Sequence, residues 1–148
     1  MSEPTRDLLL CAAALLDQGR TVDRLSRLLT AAALIAILIG PAVATQPPWM
    51  LIGSAVLVTL AGLAETYFAI RVGFDAALFN QVANASEAPD FAGTDAALTQ
   101  LGLLPITKHR RPAGARIAGA RRLFRFQILL LVVQVLSVLA GAWRELAG

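Results

Sequence analysis

The sequence predicts an all-α integral membrane protein with three transmembrane helices, N-terminus in and C-terminus out, and three observations carry that reading. Uncharged apolar stretches occupy 28–46, 49–64 and 127–143. Of the 148 residues 57% are hydrophobic, and the mean hydropathy of +0.66 exceeds what a soluble domain of this length carries. Twelve of the thirteen Lys and Arg residues fall on one side of the membrane that these stretches define. Arg6, Arg20, Arg24 and Arg27 precede the first stretch, and Arg71, Lys108, Arg110, Arg111, Arg116, Arg121, Arg122 and Arg125 lie between the second and third. Only Arg144 lies on the other side. Positive loops stay cytoplasmic, which fixes the orientation.

The first element, within 1–20, is a cytoplasmic amphipathic helix. Leu8, Cys11, Ala12, Leu15 and Leu16 recur at helical spacing, with Arg6, Asp7, Asp17 and Gln18 mostly on other faces. Its modest size and mixed charge suit packing on other helices of the chain as well as a place among headgroups. Gly19 suits its C-terminal cap, and Thr21 suits the start of the next helix.

Residues 21–70 form a transmembrane hairpin, with spans at about 28–46 and 49–70, each near the ~20 residues that cross a bilayer core. Pro41-Ala42-Val43-Ala44 imitates a signal-peptide cleavage site, but the 27 residues before the first run carry their own helical pattern, unlike a short leader. Ala32, Ala36, Gly40 and Ala44 form a small-residue stripe on the first span, and Ser54, Gly62 and Thr66 one on the second. Small residues let backbones approach closely in lipid, so the two stripes are expected to seal the hairpin or to face another protein. Pro47 and Pro48 make the tight outer turn.

Residues 71–111 form a cytoplasmic helical loop. Phe74, Leu78 and Val82 continue the second helix past the membrane, Ser86 to Asp90 break it, and a short helix fits 91–103 with Phe91, Leu98 and Leu101 on one side. Pro105 stops that helix, and Pro112 opens a long helix that contains the third span, about 123–143, and ends in a short outer tail within 112–148. Asp75, Glu87, Asp90 and Asp95 lie in a segment without basic residues, whereas 108–125 holds seven basic residues and no acid. The two are expected to attract each other. Lys108, Arg110, Arg111, Arg116, Arg121 and Arg122 are candidate contacts for anionic headgroups or a partner. The small residues of 114–121 are expected to let a neighbour approach the base of the long helix.

Signs of chemistry are sparse. His109 is the only histidine and sits among Lys108, Arg110 and Arg111; Cys11 is the only cysteine, so a triad, a metal cluster and an intrachain disulfide have no material. Gly114 to Arg121 has the glycine spacing of a phosphate loop, but Ala120 and Arg121 replace its Lys-Ser/Thr pair. No catalytic, metal or cofactor-binding residue is assigned. The pI near 10 is accounted for by topology and lipid attraction, not by nucleic acid.

Glu65 is the only acid inside a span, where a carboxylate is costly unless neutral, hydrated or paired. Gln127 and Arg125 reach a similar depth on the third span, so Glu65, Arg125 and Gln127 are expected to form an intramembrane polar cluster. Gln127, Gln134 and Gly141 repeat every seven residues, with Ser137 beside them, and Gln134, Ser137 and Gly141 are assigned to a helix interface. Trp49 and Trp143 mark the outer boundary. Interface signals outnumber chemical ones. The expectation is a non-enzymatic bacterial inner-membrane subunit or scaffold, packing through its spans and cytoplasmic cap against a larger complex or itself, with Phe74, Leu78, Phe91 and Leu98 as cap anchors. A homo-oligomeric conduit for ions or small solutes lined by Glu65, Gln127 and Gln134 is the alternative, and a holin-like pore former a weaker one.

Overall fold

A computed structural model of the chain describes residues 3–43, 49–85, 91–102 and 111–147. Five helices follow in order: α1 (Glu3–Asp17), α2 (Gly19–Val43), α3 (Trp49–Ala83), α4 (Ala92–Gln100) and α5 (Ala113–Ala147). Three helical stretches, Thr5–Ala42, Trp49–Ala83 and Ala113–Trp143, are long and apolar enough to cross a membrane. The breaker 86–90, residues 103–110 with Pro105, the outer turn and Ala44 lie outside the described residues.

α1 and α2 are separated by a single turn residue, Gln18, whose carbonyl accepts from the Thr21 and Val22 amides. Together they run antiparallel to α3. Arg6 meets the end of α3 at Ala83 and Ala85, Gly19 meets Val72, and Gly40 meets Leu51. Gly19 therefore does not cap α1. It is the first residue of α2, and its φ is not in the left-handed region. α5 runs parallel to α2 and packs on both α2 and α3.

α3 and α5 have 35 residues each, about 52 Å at 1.5 Å per residue, well beyond the ~30 Å of a bilayer core. Their excess length forms a cap, in which Leu9, Leu16, Val72, Phe79, Val82 and Ile117 belong to one apolar core. α4 is fastened there by Phe91, whose ring meets Phe79 edge-on at 6.3 Å, and by an ion pair between Asp95 and Arg116. Asp95 is buried and Arg116 half-buried, with two 2.7 Å bonds from Arg116 Nη2 to the carboxylate, and the guanidinium lies 4.5 Å from the Phe91 ring centre. The segregated charges of the loop thus meet within the chain, and Arg116, expected at headgroups or a partner, is an internal tie. Pro112 opens α5 as expected, its carbonyl accepting from Ala115 and Arg116.

The buried face of α1 is Leu9, Ala12, Ala13 and Leu16, while Leu8, Cys11 and Leu15 are exposed. The expected stripe is rotated by one residue. The run Leu8-Leu9-Leu10 supports either face, and Ala12 and Ala13 let the helix lie closer to α3 than Cys11 and Leu15 would. Of the cap anchors, Leu78 and Phe91 are buried and Leu98 half-buried, whereas Phe74 is exposed. Leu101 is exposed too, because α4 ends at Gln100. A Cβ on Gly114 or Gly119 would meet nothing within 4 Å, so the expected close approach at the base of α5 is made instead by Ile117 and Ala120.

Between the spans the interior is of a different kind. Its apolar cluster is only Ala33, Ala55 and Val58, edged by Leu29, Ala36 and Ile37. Large side chains such as Leu34, Leu38, Leu60, Leu63 and Leu136 point outward. That inversion is expected in lipid, where hydrophobicity does not draw helices together and close backbone approach does.

Candidate functional site

The residues that hold the spans together recur every seven positions. On α2 they are Gly19, Ser26, Ala33 and Gly40, and on α5 Ala120, Gln127, Gln134 and Gly141, all buried. On α3 the buried sets are Ala55 with Gly62, and Val58 with Glu65, Val72 and Phe79. A seven-residue repeat keeps one seam facing its neighbours over several turns. This corrects the four-residue stripe expected on the first span: Ala32 is exposed, Ala36 half-buried, and Ala33 takes the inner position beside Gly40.

Four polar side chains in this seam, Ser26, Glu65, Gln127 and Gln134, are each 0% exposed. Gln127 Nε2 donates to the Gly19 carbonyl and to Glu65 Oε1, both at 2.8 Å. One amide thus joins all three helices. Seven residues further on, Gln134 Nε2 donates to Thr30 Oγ1 at 3.0 Å, to the Val58 carbonyl at 3.1 Å and, at 3.5 Å, to the Ser26 carbonyl. Thr30 in turn donates to the Ser26 carbonyl.

Glycine makes the room for both amides. A Cβ on Gly19 would stand 2.9 Å from Gln127 Oε1 and 3.1 Å from Val72 Cγ1. On Gly62 it would collide with the Thr30 hydroxyl and stand 2.6 Å from Gln134 Nε2; on Gly141 it would stand 2.7 Å from Ser54 Oγ. Ser54 and Thr66 donate their hydroxyls to carbonyls of their own helix, Leu51 and Gly62, and Ser137 does the same to Val133.

Of the expected intramembrane cluster, the structure joins Glu65 and Gln127 but not Arg125. Residues two positions apart on an α-helix point about 200° away from each other, so Arg125 cannot share the face of Gln127, and it is exposed. Of the expected helix-interface stripe, Gln134 and Gly141 are enclosed by helices of their own chain and Ser137 is half-buried. The same enclosure holds for Glu65 and Gln127. Arg111, Arg121 and Arg122 are exposed, Arg122 lying 5.7 Å from the Phe126 ring centre. Lys108, His109 and Arg110 lie outside the described residues.

Several residues of the site went unnoticed in the sequence. Ser26 and Thr30 are polar residues at the inner face of α2, and Gly19 makes room for Gln127 instead of capping α1. Arg6 donates to the Ala83 and Ala85 carbonyls at 2.6 and 3.1 Å and so closes the end of α3, where a cation also suits the helix dipole. The seven-residue frame visible in Gln127, Gln134 and Gly141 continues on α2 in Gly19 and Ser26.

Fold and site together define an all-helical chain with three helices able to span a membrane, joined by a buried amide layer. No family model, curated protein or solved structure matches it.

Proposed function

We propose that the protein is a non-enzymatic, multi-pass subunit or scaffold of a bacterial inner membrane, with its N-terminus and cap in the cytoplasm and its C-terminus outside. In this reading it packs against a larger membrane complex or further copies of itself. The basic residues named above support the orientation. The observation that carries the reading is a groove of about 470 Å³ between α3 and α5, lined in part by Gly53, Ser54, Leu57, Val133, Ser137 and Ala140. At its floor Ser54 meets Gly141 of α5, but a Cβ on Gly53 would meet nothing within 4 Å, so at Gly53 the groove is left open by the protein's own helices. In lipid such a surface suits another helix better than it suits acyl chains, because close backbone contact is what associates helices there. Anionic lipid at Arg111, Arg121 and Arg122 would hold the cap at the membrane surface.

The test is the mass of the assembly isolated in mild detergent and in lipid nanodiscs. Wild-type protein is expected above monomer mass, either as copies of itself or with a stoichiometric partner. Gly53→Leu and Ala140→Leu, which fill the groove, are expected to reduce it to monomer without lowering membrane insertion. A monomeric wild type that co-isolates no stoichiometric partner rejects the proposal.

A further inference from the structure

Beside the cap, α3, α4 and α5 line a pocket of about 390 Å³ that the buried amide layer does not use. Ile70 and Leu123 form its wall at the level where the second span ends and the third begins, and Phe74, Leu78 and Leu98 continue that wall into the cap. Its charged side chains are Arg71, Asp75 and Arg116. Arg116 is committed to Asp95. Arg71 and Asp75 are therefore the charges left to a ligand, and they sum to zero.

Asp75 is half-buried and has neither a hydrogen bond nor an ion pair among the described residues. The charges that act on it are Arg71 and Arg116, through space. Arg71 stands one turn before it on α3, a spacing at which opposite charges pair. They do not pair here. The Arg71 guanidinium lies 5.9 Å from the ring centre of Tyr67, which is one turn the other way along α3. A carboxylate partly withdrawn from water without a partner is costly, and a bound cation relieves that cost. Phe74, past the end of the span, is exposed between the two charges.

We propose that this pocket binds one phospholipid with an ethanolamine headgroup, its ammonium on Asp75, its phosphate on Arg71 and its glycerol and upper acyl chain along Ile70, Phe74 and Leu123. The inference rests on the placement of the cap at the membrane surface proposed above. The argument is one of order. Along α3 an apolar boundary at Ile70 is followed by a cation at Arg71 and, about 6 Å further from the bilayer, by an anion at Asp75. An ethanolamine phospholipid presents the matching series from the core outward: acyl chain, phosphate, then ammonium across an ethylene link. A glycerol headgroup offers a phosphate to Arg71 but no cation to Asp75. A choline headgroup offers a cation without an N–H, whereas a primary ammonium donates charge-assisted hydrogen bonds to a carboxylate. A small free cation would leave Arg71 and the apolar wall without a role.

The experiment takes the purified full-length protein, stripped of lipid in mild detergent, and reads bound lipid by native mass spectrometry. The probes are phosphatidylethanolamine, phosphatidylcholine and phosphatidylglycerol with identical acyl chains. One ethanolamine lipid is expected to bind at a several-fold lower concentration than either of the others. Asp75→Asn, which removes the charge and keeps the shape, is expected to erase that preference, and Arg71→Gln to weaken the ethanolamine and choline lipids alike by several-fold. The ranking of the three lipids by the unsubstituted protein carries the test should either variant fail to fold. Equal binding of ethanolamine and choline lipids overturns the proposal, as does a preference for ethanolamine that Asp75→Asn leaves intact. A preference for phosphatidylglycerol also overturns it, and assigns the lipid contact to the exposed Arg111, Arg121 and Arg122. Cys11, exposed on the cap, reports the cap's placement separately through a charged maleimide applied to the protein in lipid nanodiscs. A labelled Cys11 without the lipid preference rejects the site alone, and a protected Cys11 rejects the placement and the site with it.

Discussion

The cap and the span region share the same two long helices, α3 and α5, yet they are filled by opposite rules. In the cap the interior is Leu9, Leu16, Phe79, Val82 and Phe91, edged by the ion pair between Arg116 and Asp95. In the span region the interior is Ala33, Ala55, Gly62, two glutamines and a glutamate, while leucines face outward. What changes is the solvent. In water, burying a large side chain gains about 1.5–3 kcal/mol, so size goes inside; in lipid that gain vanishes, and small residues with interhelical hydrogen bonds take the inner positions.

The comparison fails if substitutions do not rank as the two rules demand. Phe79→Ala in the cap is expected to cost the most, about 3–5 kcal/mol, read by denaturation in mild detergent. Arg116→Ala should cost a comparable ~3–5 kcal/mol, because it removes the cation from the buried Asp95 carboxylate. The double replacement of Arg116 and Asp95 by Leu should recover most of that loss, and a double variant no more stable than Arg116→Ala would show the pair matters for more than its charge. Gly62→Ala in the span region adds a single methyl group. It should nevertheless cost about 1–3 kcal/mol, since Thr30 and Gln134 must move; a neutral effect would mean that close approach is not what holds α2 to α3.

Gln134→Leu is expected to cost only about 0.6–2 kcal/mol in the same assay, the range of interhelical hydrogen bonds in membranes. A loss larger than that of Phe79→Ala would reverse the comparison. Smallest of all, Leu38→Ala on the outer face should stay within about 0.5 kcal/mol, measured the same way, because that side chain is 80% exposed and leaves no cavity.

The two rules also explain which parts of the structure were legible in the sequence. The existence and order of the helices followed from apolar runs and breakers, and Glu65 stood out as an acid in an apolar run. Helix faces were harder. α1 carries leucines at 8, 9, 10, 15 and 16, so periodicity alone does not separate the buried Leu9 and Leu16 from the exposed Leu8 and Leu15. In α2 alanines occupy 31, 32 and 33, and small residues suit any face; only the seven-residue frame, anchored by Ser26 and Gly40, selects Ala33. Matching depth suggested both Arg125 and Gln127 for Glu65, but depth is a single coordinate and the angle around α5 decided between them. Arg6 could not be placed at all, because its partners are backbone carbonyls 77 and 79 positions away.

The hydrogen bonds from Gln127 to Gly19 and from Gln134 to Ser26 both span 108 positions. Because donors and acceptors share one repeat, sliding α5 by seven residues along α2 would again set a glutamine against a backbone carbonyl, and the repeat alone does not fix the frame. The residues beside it do. Slipped one way, Gln134 would face Ala33, and the position one turn on is Ile37 rather than Thr30, with no hydroxyl to accept; slipped the other, Gln134 would take the place beside Glu65 and Ser26 would be left facing Gly141. The assembly therefore works like a vernier scale, in which two nearly periodic rulings agree at one setting, and Thr30, Glu65 and Gly141 are the marks that make this setting unique.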